Sequence, residues 1–130
     1  MAGKGWVGVD ADKTLFEYNS GSFRVDIFGK PIPQMVARIR MHIEDGDEVR
    51  LFTARVADPD WESRGKKAWE QISQYLFGTV LEATNIKDYE MVLLYDDKAV
   101  QIIPNTGELA IEVAVRKAYG DRKYAQRTES

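Results

Sequence analysis

Residues 6–16 read WVGVDADKTLF. A run apolar on both faces, Trp6 to Val9, stops on Asp10, and Asp12 follows two positions later. Such a run suits a central strand of a parallel sheet, where both faces are covered. The pattern returns at residues 90–97, EMVLLYDD, the best strand of the chain, which meets Asp96 and Asp97. A third strand runs through Val49, Leu51 and Phe52 in DEVRLFTAR and ends near Thr53.

The connecting segments carry helical spacing. In PQMVARIRMHIEDG, Met35, Val36, Ile39 and Ile43 share a face and Gly46 supplies a stop. In SRGKKAWEQISQYLFG, Trp69, Ile72 and Leu76 share a face and Gly78 follows; Trp61 and Trp69 are assigned to the core or an interface. TVLEAT is a weaker strand, and VQIIP is read as a short edge strand closed by Pro104. GELAIEVAVRKAYG alternates like a strand, but its alanines and terminal Gly120 favour a helix. Between the first strand and first helix lies a segment punctuated by Gly21, Gly29, Pro31 and Pro33. Its alternating FRVDIF predicts a small hairpin or flap over about residues 17–33.

Strands alternating with helices in this way predict parallel βαβ units. The expected fold is a Rossmann-like α/β three-layer sandwich of about five mostly parallel strands, with helices on both faces. A chain of 130 residues fits one domain over residues 1–130, with a frayed polar tail from about residue 121.

Composition narrows the chemistry. There is no Cys, which excludes disulfides, thiol catalysis and zinc–thiolate sites. The single His42 leaves no His pair for zinc and is expected on a partly exposed helix face without a catalytic role. A net charge of −3 provides no broad basic surface for tracking nucleic acid. No stretch approaches a membrane span and no charged-then-apolar leader stands at the start, so no membrane partner and a cytoplasmic location are expected. Gly3, Gly5 and Gly8 match the spacing of a dinucleotide-binding loop, but they precede the first strand instead of following it, and the match fails on context.

The acids remain to be explained. In open parallel sheets ligands bind beyond the carboxyl ends of the strands, where Asp10, Thr53 and Asp96 fall. Side chains two apart in extended backbone share a face, which directs Asp10 and Asp12 the same way. Two carboxylates about 4 Å apart repel by roughly 4 kcal/mol at an effective dielectric near 20. A gathering of such groups calls for a cation, and oxygen ligands without His or Cys favour Mg²⁺.

These residues carry a resemblance. VGVDADKTLF resembles the first motif of the haloacid dehalogenase (HAD) superfamily, a strand followed by Asp-x-Asp-x-Thr. RLFTAR resembles the second, and TNIKDYEMVLLYDDKAV the third and fourth, in the family's order. The resemblance implies a Mg²⁺-dependent phosphomonoester hydrolase, a phosphatase working through an aspartyl-phosphate. It assigns Asp10 as nucleophile, Asp12 as general acid and base, Thr53 as hydrogen-bond donor to the phosphoryl group and Lys87 as the neutralising cation. Asp10, the backbone carbonyl of Asp12, Asp96 and the neighbouring Asp97 would hold the metal. Arg55, Thr14, Arg24 and Lys30 are candidate substrate contacts, with Phe23 and Phe28 beside them; Arg55 is equally suited to pairing with an acid. Lys13 stands where the family commonly has Gly, and Lys66, Lys67 or Lys98 are alternatives to Lys87.

The segment after the first strand is too short for a large cap, which implies a minimal, nearly capless member. An open site suits a phosphate on a bulky or polymeric substrate, such as a nucleic-acid end or a protein. Two other readings use the same residues. One is a phosphoacceptor module like a receiver domain, although receivers carry their adjacent acidic pair on the first strand. The other is an inactive relative that binds a partner.

Overall fold

The structure, a computed structural model, describes residues 5–18 and 23–120. The chain divides into two compact units, Met1–Asp97 and Lys98–Ser130. The tail beyond residue 120 and positions 19–22 of the flap lie outside the described residues.

The first unit is α/β. Strand β1 (Trp6–Val9) is followed by helix α1 (Pro33–Glu44), strand β2 (Glu48–Phe52), helix α2 (Lys66–Phe77), and strands β3 (Ala83–Thr84) and β4 (Met91–Tyr95). They form one sheet in the order β3-β2-β1-β4, with every pairing parallel. Val9 is level with Leu51 on one side and Tyr95 on the other, so the residues after all three strands emerge at one edge.

Alternation along β1 divides the sheet faces. Val7 and Val9 join Val49, Leu51, Val36, Ile39, Trp69 and Leu76 in one buried cluster, which places α1 and α2 over that face. Trp6 is fully buried on the other face, where Arg50 lies 4.6 Å over its ring and Asp88 accepts from Nε1 at 2.8 Å. That indole bond is the leading reason the Asp88 carboxyl sits below the usual carboxylate range. Gly8 makes room for the indole: a Cβ there would stand 3.0–3.2 Å from Leu94, Met91 and Trp6.

The helices end as their sequences direct. Pro33 opens α1 at a position that needs no amide donor. Gly78, at φ 72°, closes α2 in the left-handed conformation. The turn beyond α2 is fixed from inside: Ser73 Oγ donates to Thr79 O and accepts from Leu81 N, both at 2.8 Å, and Trp69 Nε1 donates to Leu81 O at 2.7 Å. His42 is half-buried, bonded to Asp47 Oδ2 at 2.8 Å and to Tyr95 Oη at 3.0 Å, so it joins α1 to β4.

Among its described residues the flap forms no hairpin ladder beyond its base. Its base closes where Glu17 N donates to Lys30 O and Ile32 N donates to Leu15 O, both at 2.8 Å. Between them Val25 and Asp26 form a turn, and Phe28 packs on Phe16 and Trp69 with centroids 5.2 and 6.0 Å away. FRVDIF alternates like a strand but gains no ladder partner among the described residues.

In the second unit, Ile102 and Leu109 form a lone antiparallel bridge around a turn with positive φ at Asn105 and Gly107. Helix α3 (Ala110–Tyr119) follows and stops at Gly120. The helical reading of this segment therefore holds over its alternation. VQIIP does not form the expected fifth strand: its one bridge is to Leu109, so the sheet has four strands. Among the described residues no helix is long and apolar enough to cross a membrane.

Candidate active site

β1 and β4 are neighbours, and each delivers acids to the same edge. The amide of Asp10 donates to Tyr95 O at 2.9 Å, extending the β1–β4 ladder up to the point where both chains turn away. One carboxylate oxygen each of Asp10, Asp96 and Asp97 consequently lies within 4.8 Å of the others. The turn after Asp10 is tight: Thr14, Leu15 and Phe16 all donate to Ala11 O. It buries Leu15 and Phe16 completely and brings Thr14 back over the strand end. Thr14 Oγ1 stands 3.4 Å from Asp10 Oδ2 and 3.3 Å from Asp97 Oδ1, and its one proton serves one carboxylate at a time. Lys13, at φ 72°, occupies the left-handed position of this turn, which accounts for the suitability of Gly there.

The electrostatics follow from this crowding. The Asp10 carboxyl is pushed up to about 7, first by burial, then by its hydrogen bond with Asp97 and by the charges of Asp96 and Asp97. A half-buried acid that holds a proton near neutrality marks a place where added positive charge is favourable. Three carboxylates with no nitrogen or sulfur donor among them match a hard divalent cation such as Mg²⁺. Oxygens sharing an ion at about 2.1 Å lie at most about 4.2 Å apart, a spacing of the same order as the 4.8 Å limit here.

Asp12 faces a different partner. Its two oxygens accept from Arg55 Nε at 2.9 Å and Nη2 at 2.7 Å, a bidentate pair in which Arg55 is 4% exposed. Asp12 is thus outside the group of three acids, two residues from its first member. Thr53 is buried at the end of β2, and its Oγ1 accepts from Arg55 N at 3.2 Å, capping the short 3₁₀ turn Ala54–Ala57 that carries Arg55 inward. Arg55 also lines a cavity of about 470 Å³ together with Tyr18, Phe23, Arg24, Phe28 and Lys30. Arg24 is exposed and pairs with Asp26 at 3.4 Å.

Of the residues singled out in the sequence, the structure brings together Asp10, Thr14, Asp96 and Asp97 in one group. It joins Asp12, Arg55 and Thr53 in a second, and Arg24, Lys30 and Arg55 around the cavity. Lys87 belongs to none of these. It is exposed in the β3–β4 connection, one residue before Asp88, which bonds Trp6 at the opposite end of β1 from Asp10. Lys66, one alternative, lies 3.8 Å from Glu62 at the start of α2. The burial of Arg55 had no signal in local sequence, because its partner is 43 positions away. Comparison of the chain with family models, with curated proteins and with solved structures gives no match.

Proposed function

We propose that this chain is a divalent-metal-dependent phosphomonoester hydrolase of HAD type, with Asp10 as nucleophile. The observation that carries the proposal is the meeting of Asp10, Asp96 and Asp97 at the carboxyl edge of two adjacent parallel strands, with Asp12 two residues on. Phosphoryl transfer asks for alignment and charge compensation more than for elaborate covalent chemistry, and such an edge provides both.

Asp10, Asp96 and Asp97 would hold Mg²⁺, and Mg²⁺ there would offset the charge of the acids and of the phosphate. In the first step an Asp10 carboxylate oxygen bonds to phosphorus as the ester P–O bond breaks, and Asp12, protonated on one oxygen while the other keeps its bond to Arg55, gives that proton to the departing oxygen. In the second, water attacks phosphorus, Asp12 takes its proton, and the aspartyl O–P bond breaks to release phosphate. Thr14, between Asp10 and Asp97, would orient the carboxylates. The flap cavity would receive the organic part of the substrate against Tyr18, Phe23 and Lys30. The family reading also entails a second helical layer over the Trp6 face.

The test is hydrolysis of a chromogenic phosphate ester with and without Mg²⁺ by wild type and Asp10→Asn. Metal-dependent turnover abolished in the variant is expected; equal turnover by the variant would overturn the nucleophile assignment.

A further inference from the structure

The flap cavity and the acid at position 12 share one residue. The Arg55 guanidinium makes four hydrogen bonds, two to the oxygens of Asp12 and two, from Nη1, to the backbone carbonyls of Arg24 and Val25 at 3.0 Å. Its carbon lies 4.2 Å from the Phe28 ring centroid and 4.9 Å from that of Phe23. A charge removed from water is tolerated only where its donors are met, and here four of the five are met by one acid and by the flap backbone.

This arrangement argues against Arg55 as a phosphate ligand. Its flat, rigid fork is already engaged edge-on with a carboxylate, a match that a point cation cannot reproduce. We infer that Arg55 is a positioning residue, holding Asp12 in the orientation from which it meets the leaving group and fastening the flap to the same point. The inference rests on the phosphatase reading above. It adds a specific consequence: the cost of losing Arg55 depends on how much the leaving group needs a proton.

The experiment compares an alkyl phosphate, whose alkoxide leaves poorly without a proton, with dinitrophenyl phosphate, whose phenolate leaves without one. For Arg55→Met, cleavage of the alkyl ester in a single turnover with enzyme in excess is expected to slow by about 100-fold or more, the range of a misplaced acid–base group, with substrate affinity little changed. On the aryl ester the single-turnover release of dinitrophenolate should slow by less than about 5-fold, because that step needs no proton, whereas the later attack of water uses Asp12 with either ester. Arg55→Lys keeps the charge but not the fork and should lie between. It carries the same comparison if Arg55→Met fails to fold.

Equal slowing of the cleavage step on both esters, or weaker substrate affinity with the cleavage rate kept, would show that Arg55 binds the phosphate and would overturn the inference. So would a wild type that turns over only the aryl ester. Asp10→Asn, run on both esters, separates the two levels of the account. If it matches wild type, the phosphatase reading falls and takes this one with it. If it is dead while Arg55→Met slows cleavage of both esters equally, only the positioning role falls.

Discussion

Replacing Asp10 by Asn should stabilise the metal-free protein at pH 8. In the folded chain the Asp10 carboxyl keeps its proton up to about 7, whereas in the unfolded chain it ionises near its ordinary value of 3.8. Between those values the folded state binds more protons, so stability falls as pH rises through the window and the loss is complete above about 7. Taken whole, the shift corresponds to roughly 4 kcal/mol. The carboxyl is half-buried, so solvent screens part of it, and about 2 kcal/mol is the working figure. Asn has nearly the same shape and cannot ionise. The variant should therefore melt roughly 5–10 °C above wild type at pH 8. At pH 4, where both forms are neutral at this position, the difference should close. Adding Mg²⁺ at pH 8 should raise the melting temperature of wild type more than that of the variant. Thermal unfolding followed by circular dichroism at the two pH values checks all three. An Asp10→Asn protein no more stable than wild type at pH 8, or equally advantaged at pH 4, would refute the reasoning.

Other substitutions probe the scaffold. Lys13→Gly relieves the left-handed backbone after Asp10 and should be neutral to stabilising by about 1 kcal/mol, read from urea midpoints. Ser73→Ala leaves Thr79 O and Leu81 N without their buried partner and should cost about 1–3 kcal/mol in the same assay. Gly29→Ala places a Cβ against the carbonyl of Glu17 at the flap base. It should expose the flap to limited proteolysis while leaving the far-ultraviolet circular dichroism unchanged.

The sheet edge was legible because its signals are local. An apolar run broken by an acid marks a strand end by itself, and Trp6–Val9 and Met91–Tyr95 both carry that mark. Helices α1 and α2 were legible from one apolar face each, closed by Gly46 and Gly78. The segments that misled were those with strand-like composition and nothing to pair with. FRVDIF alternates well, yet the Arg24 and Val25 carbonyls go to the Arg55 side chain instead of to a neighbouring strand. VQIIP has the residues of an edge strand, and its Ile102 finds only Leu109 across a turn. Arg55 shows the same difficulty in the site. A charged residue after a strand reads as solvated, and only the fold reveals the partner that justifies its burial. Lys87 precedes the acidic strand in sequence, but in a parallel sheet that connection runs to the far end of the strands.

The most direct test of the central claim is the mass of the protein after a rapid acid quench during turnover of a phosphate ester in Mg²⁺. The account predicts a fraction of chains heavier by one phosphoryl group, the addition mapping to Asp10 and absent from Asp10→Asn. Turnover with no such species trapped at any quench time, or with the phosphoryl group on another residue, would contradict it.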